Sequence, residues 1–127
     1  MTYYIAKTLA GDFDGVIARV VEALKKEGFG VLTEIDVSAT LKKKIDVDFR
    51  PYRILGACNP KMAHQALSIE DKIGVMLPCN VIVQQTDEGV EVAAVDPEAS
   101  LGRVGNPALD DAAKTVKAAL TRVVESL

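Results

Sequence analysis

The chain has 127 residues, 49% of them hydrophobic and 26% charged, with a formal net charge of −3. These values describe one ordinary globular domain over 1–127 and exclude a disordered chain. The slight acidic balance gives no general electrostatic reason to bind nucleic acid or an anionic membrane, no apolar run approaches the ~20 residues that span a bilayer, and two cysteines are too few for a disulfide-dense secreted fold. The N-terminal Met1-Thr2-Tyr3-Tyr4-Ile5-Ala6-Lys7 lacks the basic start, long apolar stretch and cleavage site of a signal peptide. The expected compartment is therefore a reducing cytoplasm, with both cysteines as thiols.

Tyr3 to Leu9 is rich in β-formers and predicts the first strand. Asp12 then offers an N-cap for a helix whose apolar stripe runs Phe13, Val16, Ile17, Val20, Val21, Leu24. Lys25 and Lys26 suit the negative end of the helix dipole, and Gly28 suits a helix stop. Phe29 to Val37 predicts the second strand. Ser38 is the expected cap of a short helix from Ala39 to about Ile45, with Leu41 and Ile45 facing inward. Lys42, Lys43 and Lys44 then form its solvated face.

Arg50 to Cys58 predicts the third strand, with Pro51 at its start where a missing N–H does least harm. Asn59-Pro60 opens the next helix as cap and first helical residue, and Met62, Ala63, Ala66 and Leu67 supply its inner face. The segment from Ile69 to Leu77 fits neither period. Cys79 to Thr86, the turn Asp87-Glu88-Gly89, and Val90 to Val95 form a hairpin. Pro97 to Asn106 is expected to be a loop, and Asn106-Pro107 starts a long helix with Leu109, Ala113, Val116, Leu120 and Val124 on its apolar stripe. The expected fold class is α+β: an antiparallel or mixed sheet of about five strands, with two long helices packed on one face, plus short helices.

Two blocks carry a family resemblance: Ile54-Leu55-Gly56-Ala57-Cys58-Asn59-Pro60 and Met76-Leu77-Pro78-Cys79-Asn80-Val81. With Gly28-Phe29-Gly30-Val31 leading to Glu34-Ile35-Asp36-Val37, they make the chain resemble domain-of-unknown-function family 302 over nearly its whole length. The resemblance implies a small α+β domain that pairs as a homodimer. It implies no catalytic activity and supplies no catalytic residues. The matching positions Gly56, Cys58, Asn59, Pro60, Leu77, Pro78, Cys79 and Asn80 take their roles from physical argument alone.

Cys58 closes a predicted strand ahead of a helix N-terminus, where unpaired N–H groups can lower a thiol pKa. Cys79 opens another strand beside a proline. If the two strand ends meet, the thiols form a redox pair or line a ligand site, with Asn59 and Asn80 beside them. His64, six residues beyond Cys58, is a candidate base or ligand. Arg50 and Arg53, with the three lysines, are candidates for holding an anion, because a guanidinium presents a fork of donors. The plainer alternatives are cysteines that pack as small hydrophobes and charges that are simply solvated. No metal is expected, since Cys58, Cys79 and His64 fall short of the four ligands of structural zinc. Nothing in the sequence identifies a cofactor.

There is no nucleophile elbow, P-loop, dinucleotide-binding glycine pattern or zinc-protease motif. The leading expectation is therefore a non-enzymatic, homodimeric cytoplasmic domain that binds a small-molecule ligand or partner around Cys58 and Cys79. One alternative is a thiol-redox protein with Cys58 as nucleophile and Cys79 as resolving thiol. The other is a structural interaction module with both cysteines in its core.

Overall fold

Five strands form one sheet: β1 (Tyr4–Leu9), β2 (Gly30–Asp36), β3 (Tyr52–Cys58), β4 (Cys79–Thr86) and β5 (Gly89–Val95). Their order across the sheet is β1-β5-β4-β3-β2, and every neighbouring pair is antiparallel. The computed structural model describes residues 2–127. The fold is α+β, with helices α1 (Phe13–Lys26), α2 (Val37–Ile45), α3 (Pro60–Ile69), α4 (Pro97–Leu101) and α5 (Asp110–Glu125).

β1 and β2 lie on opposite edges, so α1 has to carry the chain from one edge to the other. It starts where Asp12 Oδ2 accepts the Gly15 N–H at 3.0 Å. It ends in a left-handed turn at Gly28, φ +84°, with Phe29 N donating to Leu24 O at 2.9 Å and Gly28 N to Lys25 O at 3.0 Å. That pair of bonds satisfies carbonyls a helix end leaves open and aims the chain into β2.

The buried stripe of α1 (Val16, Val20, Leu24) and that of α5 (Val116, Leu120, Val123) pack on the same face of the sheet. They meet the inward residues of the strands, including Leu55, Val81, Val83, Val90 and Val92, all 0% exposed. This alternation of buried and half-buried residues is what a sheet with one covered face requires. A second, smaller core joins Ala66, Ile73, Leu101, Leu109 and Ala113, with Leu77 and Val104 packed against it.

The opposite face of the sheet has a different character. Cross-strand pairing aligns Ala6, Ala93, Ile82, Ile54 and Ile35 in one row from edge to edge. None of these five is buried.

Three local expectations are corrected, and one open segment is assigned. Asp36, not Ser38, caps α2: its Oδ1 accepts from Ala39 N at 2.9 Å and from Ser38 Oγ at 3.0 Å, so the helix begins at Val37. These bonds, the backbone one foremost, hold the Asp36 carboxyl below its ordinary pKa. β3 begins at Tyr52, leaving Arg50 outside it, because Pro51 has no N–H to give a ladder. The stretch 71–76 is a 3₁₀ helix. Pro97 to Asn106 is not a loop but holds α4 and a 3₁₀ turn, 102–104. Asp96 caps α4 through Glu98 N at 2.9 Å, and Pro97 occupies its first turn, the same device as Asn59-Pro60.

Candidate functional site

The two hydrophobic cores do not merge. Where they approach each other, at the end of the sheet formed by the last residues of β3 and the first of β4, lies a half-open cavity of about 350 Å³. The main core contributes Phe29, Ala57, Cys79 and Val116, and the smaller core contributes Ala66, Leu77 and Leu101. The space exists because the residues at the junction are small: Ala57, Ala63, Ala66, Gly74 and Ala112 line it where larger side chains would fill it.

Each wall is set by a local rule. Cys58 is the last residue of β3, and Asn59 Oδ1 accepts the Met62 N–H at 3.3 Å, so α3 leaves the sheet directly at the cavity. Pro60 fits the first helical position. On the opposite wall, buried Asp96 fixes α4. Its backbone N–H donates to Tyr3 O at 2.8 Å, and its carboxylate meets Lys117 Nζ of α5 at 3.1 Å. That contact raises the Lys117 pKa. The cis Leu77–Pro78 peptide lies at the cavity, and Pro78 packs over Gly56. A Cβ at Gly56 would lie 2.9 Å from Pro78 Cγ and would also collide with Thr33 Oγ1, so only glycine lets β2 and the proline close on β3 there.

Cys58 and Cys79 both line this cavity. They are free, half-buried and not at disulfide distance. The cross-strand partner of Cys79 is Ala57, one residue before Cys58. Successive strand residues point to opposite faces, so that register does not aim the two thiols at each other. Burial, and then the neighbouring Cys58, push the Cys79 thiol from its ordinary 9.0 up to about 11. The arrangement thus supplies neither a Cys79 thiolate at neutral pH nor a bond between the sulfurs. Met62 and Met76 line the same cavity, which gathers every sulfur-bearing side chain of residues 2–127.

The raised thiol pKa has a measurable consequence. In a Cys58→Ser variant, native Cys79 is expected to react with iodoacetamide at pH 8 at least about tenfold more slowly than in the urea-unfolded chain, since only the thiolate attacks. A folded-state pKa above the unfolded one means that the folded state holds its proton more tightly. The associated stability is complete below pH 9.0 and is lost as pH rises through about 11. The loss is on the order of 3 kcal/mol, read as a fall in urea midpoint between those pH values that a Cys79→Ala variant lacks.

The other candidates lie elsewhere. Asn59 lines the cavity, but Asn80 is exposed and contributes to a shallow hollow with Tyr4, Tyr52 and Ile82. His64 is exposed on α3 and does not line the cavity. Arg53 sits five residues before Cys58, roughly 17 Å along an extended strand. It is engaged with Asp36 at 3.3 Å, Glu34 at 2.6 Å and the face of Phe13. Arg50 lies over Phe49 and donates to Gln84 at 2.8 Å. The two arginines therefore belong to surface pairing networks at the far end of β3. Lys42 pairs with Asp46 and Asp48, both at 3.1 Å and exposed, as a solvated helix face does.

Sequence reasoning missed Thr33 and Leu101 as wall residues, and marked Leu77 only as a matching position of the second block. Thr33 is brought in by a register shift between Val31 and Thr33, and irregular strand pairing has no periodic signal. Leu101 comes from a segment without a readable period. Among the described residues there is no cluster of three or more His, Cys, Asp or Glu side chains able to hold a metal. Among the described residues, no helix is long and apolar enough to cross a membrane.

A family model described as "Domain of unknown function DUF302" matches residues 5–127. The chain belongs to the DUF302 family. It is also similar to a solved structure, the crystal structure of uncharacterized conserved protein DUF302 from Bacillus stearothermophilus. The two share 29% sequence identity, 98% of each chain is covered, and the TM-score is 0.92. No curated protein matches the chain. The fold gives the two Cys-Asn segments a common place. Both end or open strands at the cavity, with Gly56, Cys58, Asn59, Leu77, Pro78 and Cys79 around it.

Proposed function

We propose that this DUF302 domain binds a small molecule, rather than catalysing a reaction, and that the cavity between its two cores is the site. One observation carries the reading: a cavity of about 350 Å³, within the size range of ligand sites, is walled by both Cys-Asn blocks and lies at the end of the sheet. Of the sequence candidates, Cys58, Asn59 and Cys79 belong to it; Asn80, His64, Arg50 and Arg53 do not. Cys58 and Cys79 act as polarizable wall rather than as nucleophiles.

The test is a cavity-filling variant. Ala63 lines the cavity on α3, and Ala63→Leu adds three carbons into open space. The neutral dye Nile red is expected to bind wild type saturably, and Ala63→Leu is expected to weaken it at least about tenfold. Filling empty apolar space leaves stability within about 1 kcal/mol, so the folded variant isolates the loss of binding. Equal dye binding by both proteins would remove the cavity as the site.

The expectation of pairing has its own supporting surface. The apolar row from Ala6 to Ile35, with Tyr4 and Tyr52 beside it, is left uncovered by the helices that bury the other face. We propose that a second copy covers it, since one self-complementary face is enough to build a two-fold dimer. Light scattering is expected to give twice the 13.6 kDa chain mass for wild type and the single mass for Ile82→Glu. A wild-type mass of one chain at micromolar concentration ends the proposal.

A further inference from the structure

We infer that the cavity takes an uncharged amphiphile: an apolar body carrying a neutral hydrogen-bonding head. The inference rests on the ligand-site reading above and specifies its chemistry.

The first argument is charge. Among the described residues, no Asp, Glu, Lys, Arg or His side chain lines the cavity. An ionised ligand group entering it would leave water without gaining a counter-charge, which costs far more than burying a neutral group. The wall already displays that penalty, because burial there holds the Cys79 thiol in its neutral form well past its ordinary range.

The second argument is the mouth. Leu32, Leu67 and Met76 line the cavity, yet 68%, 43% and 41% of their surfaces remain exposed. Large apolar side chains clustered at the rim of an apolar cavity are what a hydrocarbon would cover. Met62 and Met76 can reshape around a chain, because an unbranched thioether has several accessible rotamers.

The third argument concerns the head. Asn59 uses its Oδ1 to cap α3, while its Nδ2 has no protein acceptor among the described residues. Thr33 Oγ1 likewise has no protein partner among them, and both residues line the cavity. An amide N–H and a hydroxyl are suited to a hydroxyl, carbonyl or amide oxygen. Neither supplies the charge that a carboxylate or phosphate needs.

The experiment uses the full chain and three ten-carbon probes below their aggregation concentrations: 1-decanol, decanoate and decylammonium, each displacing Nile red at pH 7.5. The expected result is displacement by decanol at a concentration at least about tenfold lower than by either ion, with loss of decanol binding in Ala63→Leu. Decanoate or decylammonium matching decanol would overturn the neutral-ligand inference while leaving the cavity as a site. Saturable dye binding that none of the three probes displaces would overturn the amphiphile class. Decanol binding unchanged in Ala63→Leu would place it elsewhere and overturn the inference. If Nile red itself fails to bind wild type, the ligand-site reading falls first and this inference falls with it.

Discussion

Replacing Leu120 by alanine is expected to lower the unfolding free energy by about 3–4 kcal/mol. Leu120 lies at the middle of the buried stripe of α5 and is 0% exposed. It belongs to the cluster that joins α1, α5 and the inward residues of the strands. Truncation removes the transfer free energy of three carbons and opens a cavity whose walls are held apart by two helices and a sheet, so collapse is only partial. Leu120→Met, which keeps the volume, is expected to cost under about 1.5 kcal/mol. Urea denaturation checks both: the midpoint falls with an unchanged slope if the native fold persists. A loss below 1 kcal/mol for the alanine variant would mean that α5 does not press on the sheet as described.

Gly89→Ala is the other large effect, expected at about 2–3 kcal/mol. Gly89 opens β5 at the tight β4–β5 turn with φ +143°, a region almost reserved for glycine. Space forbids a side chain there as firmly as the backbone does, since a Cβ would stand 2.6 Å from the Leu9 carbonyl oxygen of the neighbouring strand. The hairpin is further fixed by Thr86 Oγ1, which donates to Gly89 O at 2.9 Å. Gly105 provides the comparison. Its φ is +75°, but nothing lies within 4 Å of its Cβ position, so Gly105→Ala is expected to cost about 1 kcal/mol from backbone strain alone. Thermal unfolding of the pair separates the two causes. Equal losses would show that the close approach to β1 contributes nothing.

Both effects concern elements that were readable without coordinates. The stripes of α1 and α5 repeat at helical spacing over more than three turns, and a period sustained that long has one structural solution. The Cys79–Val95 hairpin was legible because its short acidic loop ends in glycine between two alternating strands. Asn59-Pro60 announced α3 through the chemistry of an unpaired helix end. Asp36 displaced Ser38 as the cap of α2 because the aspartate at the strand end reaches two donors at once. Pro97 to Asn106 was misread because a five-residue helix is too short to display a period.

The candidate site was legible by residue type but not by extent. The Cys-Asn blocks marked Cys58, Asn59 and Cys79, and these converge on the cavity. Asn80, His64 and the arginines did not follow. Strand alternation and helix rotation turn neighbours in sequence away from one another, and Arg53 stands at the other end of β3.

The amino-acid sequence by itself determined the class of fold, the two long helices, the hairpin, and the caps Asp12 and Asn59. These follow from interactions among residues a few positions apart, which composition and spacing record directly. Only the tertiary structure decided the strand order, the carriage of α1 from edge to edge, the division into two cores and the cavity between them. Those depend on which remote surfaces meet and on the volume left where small side chains face each other. No local pattern in a chain encodes the shape of the space between distant segments.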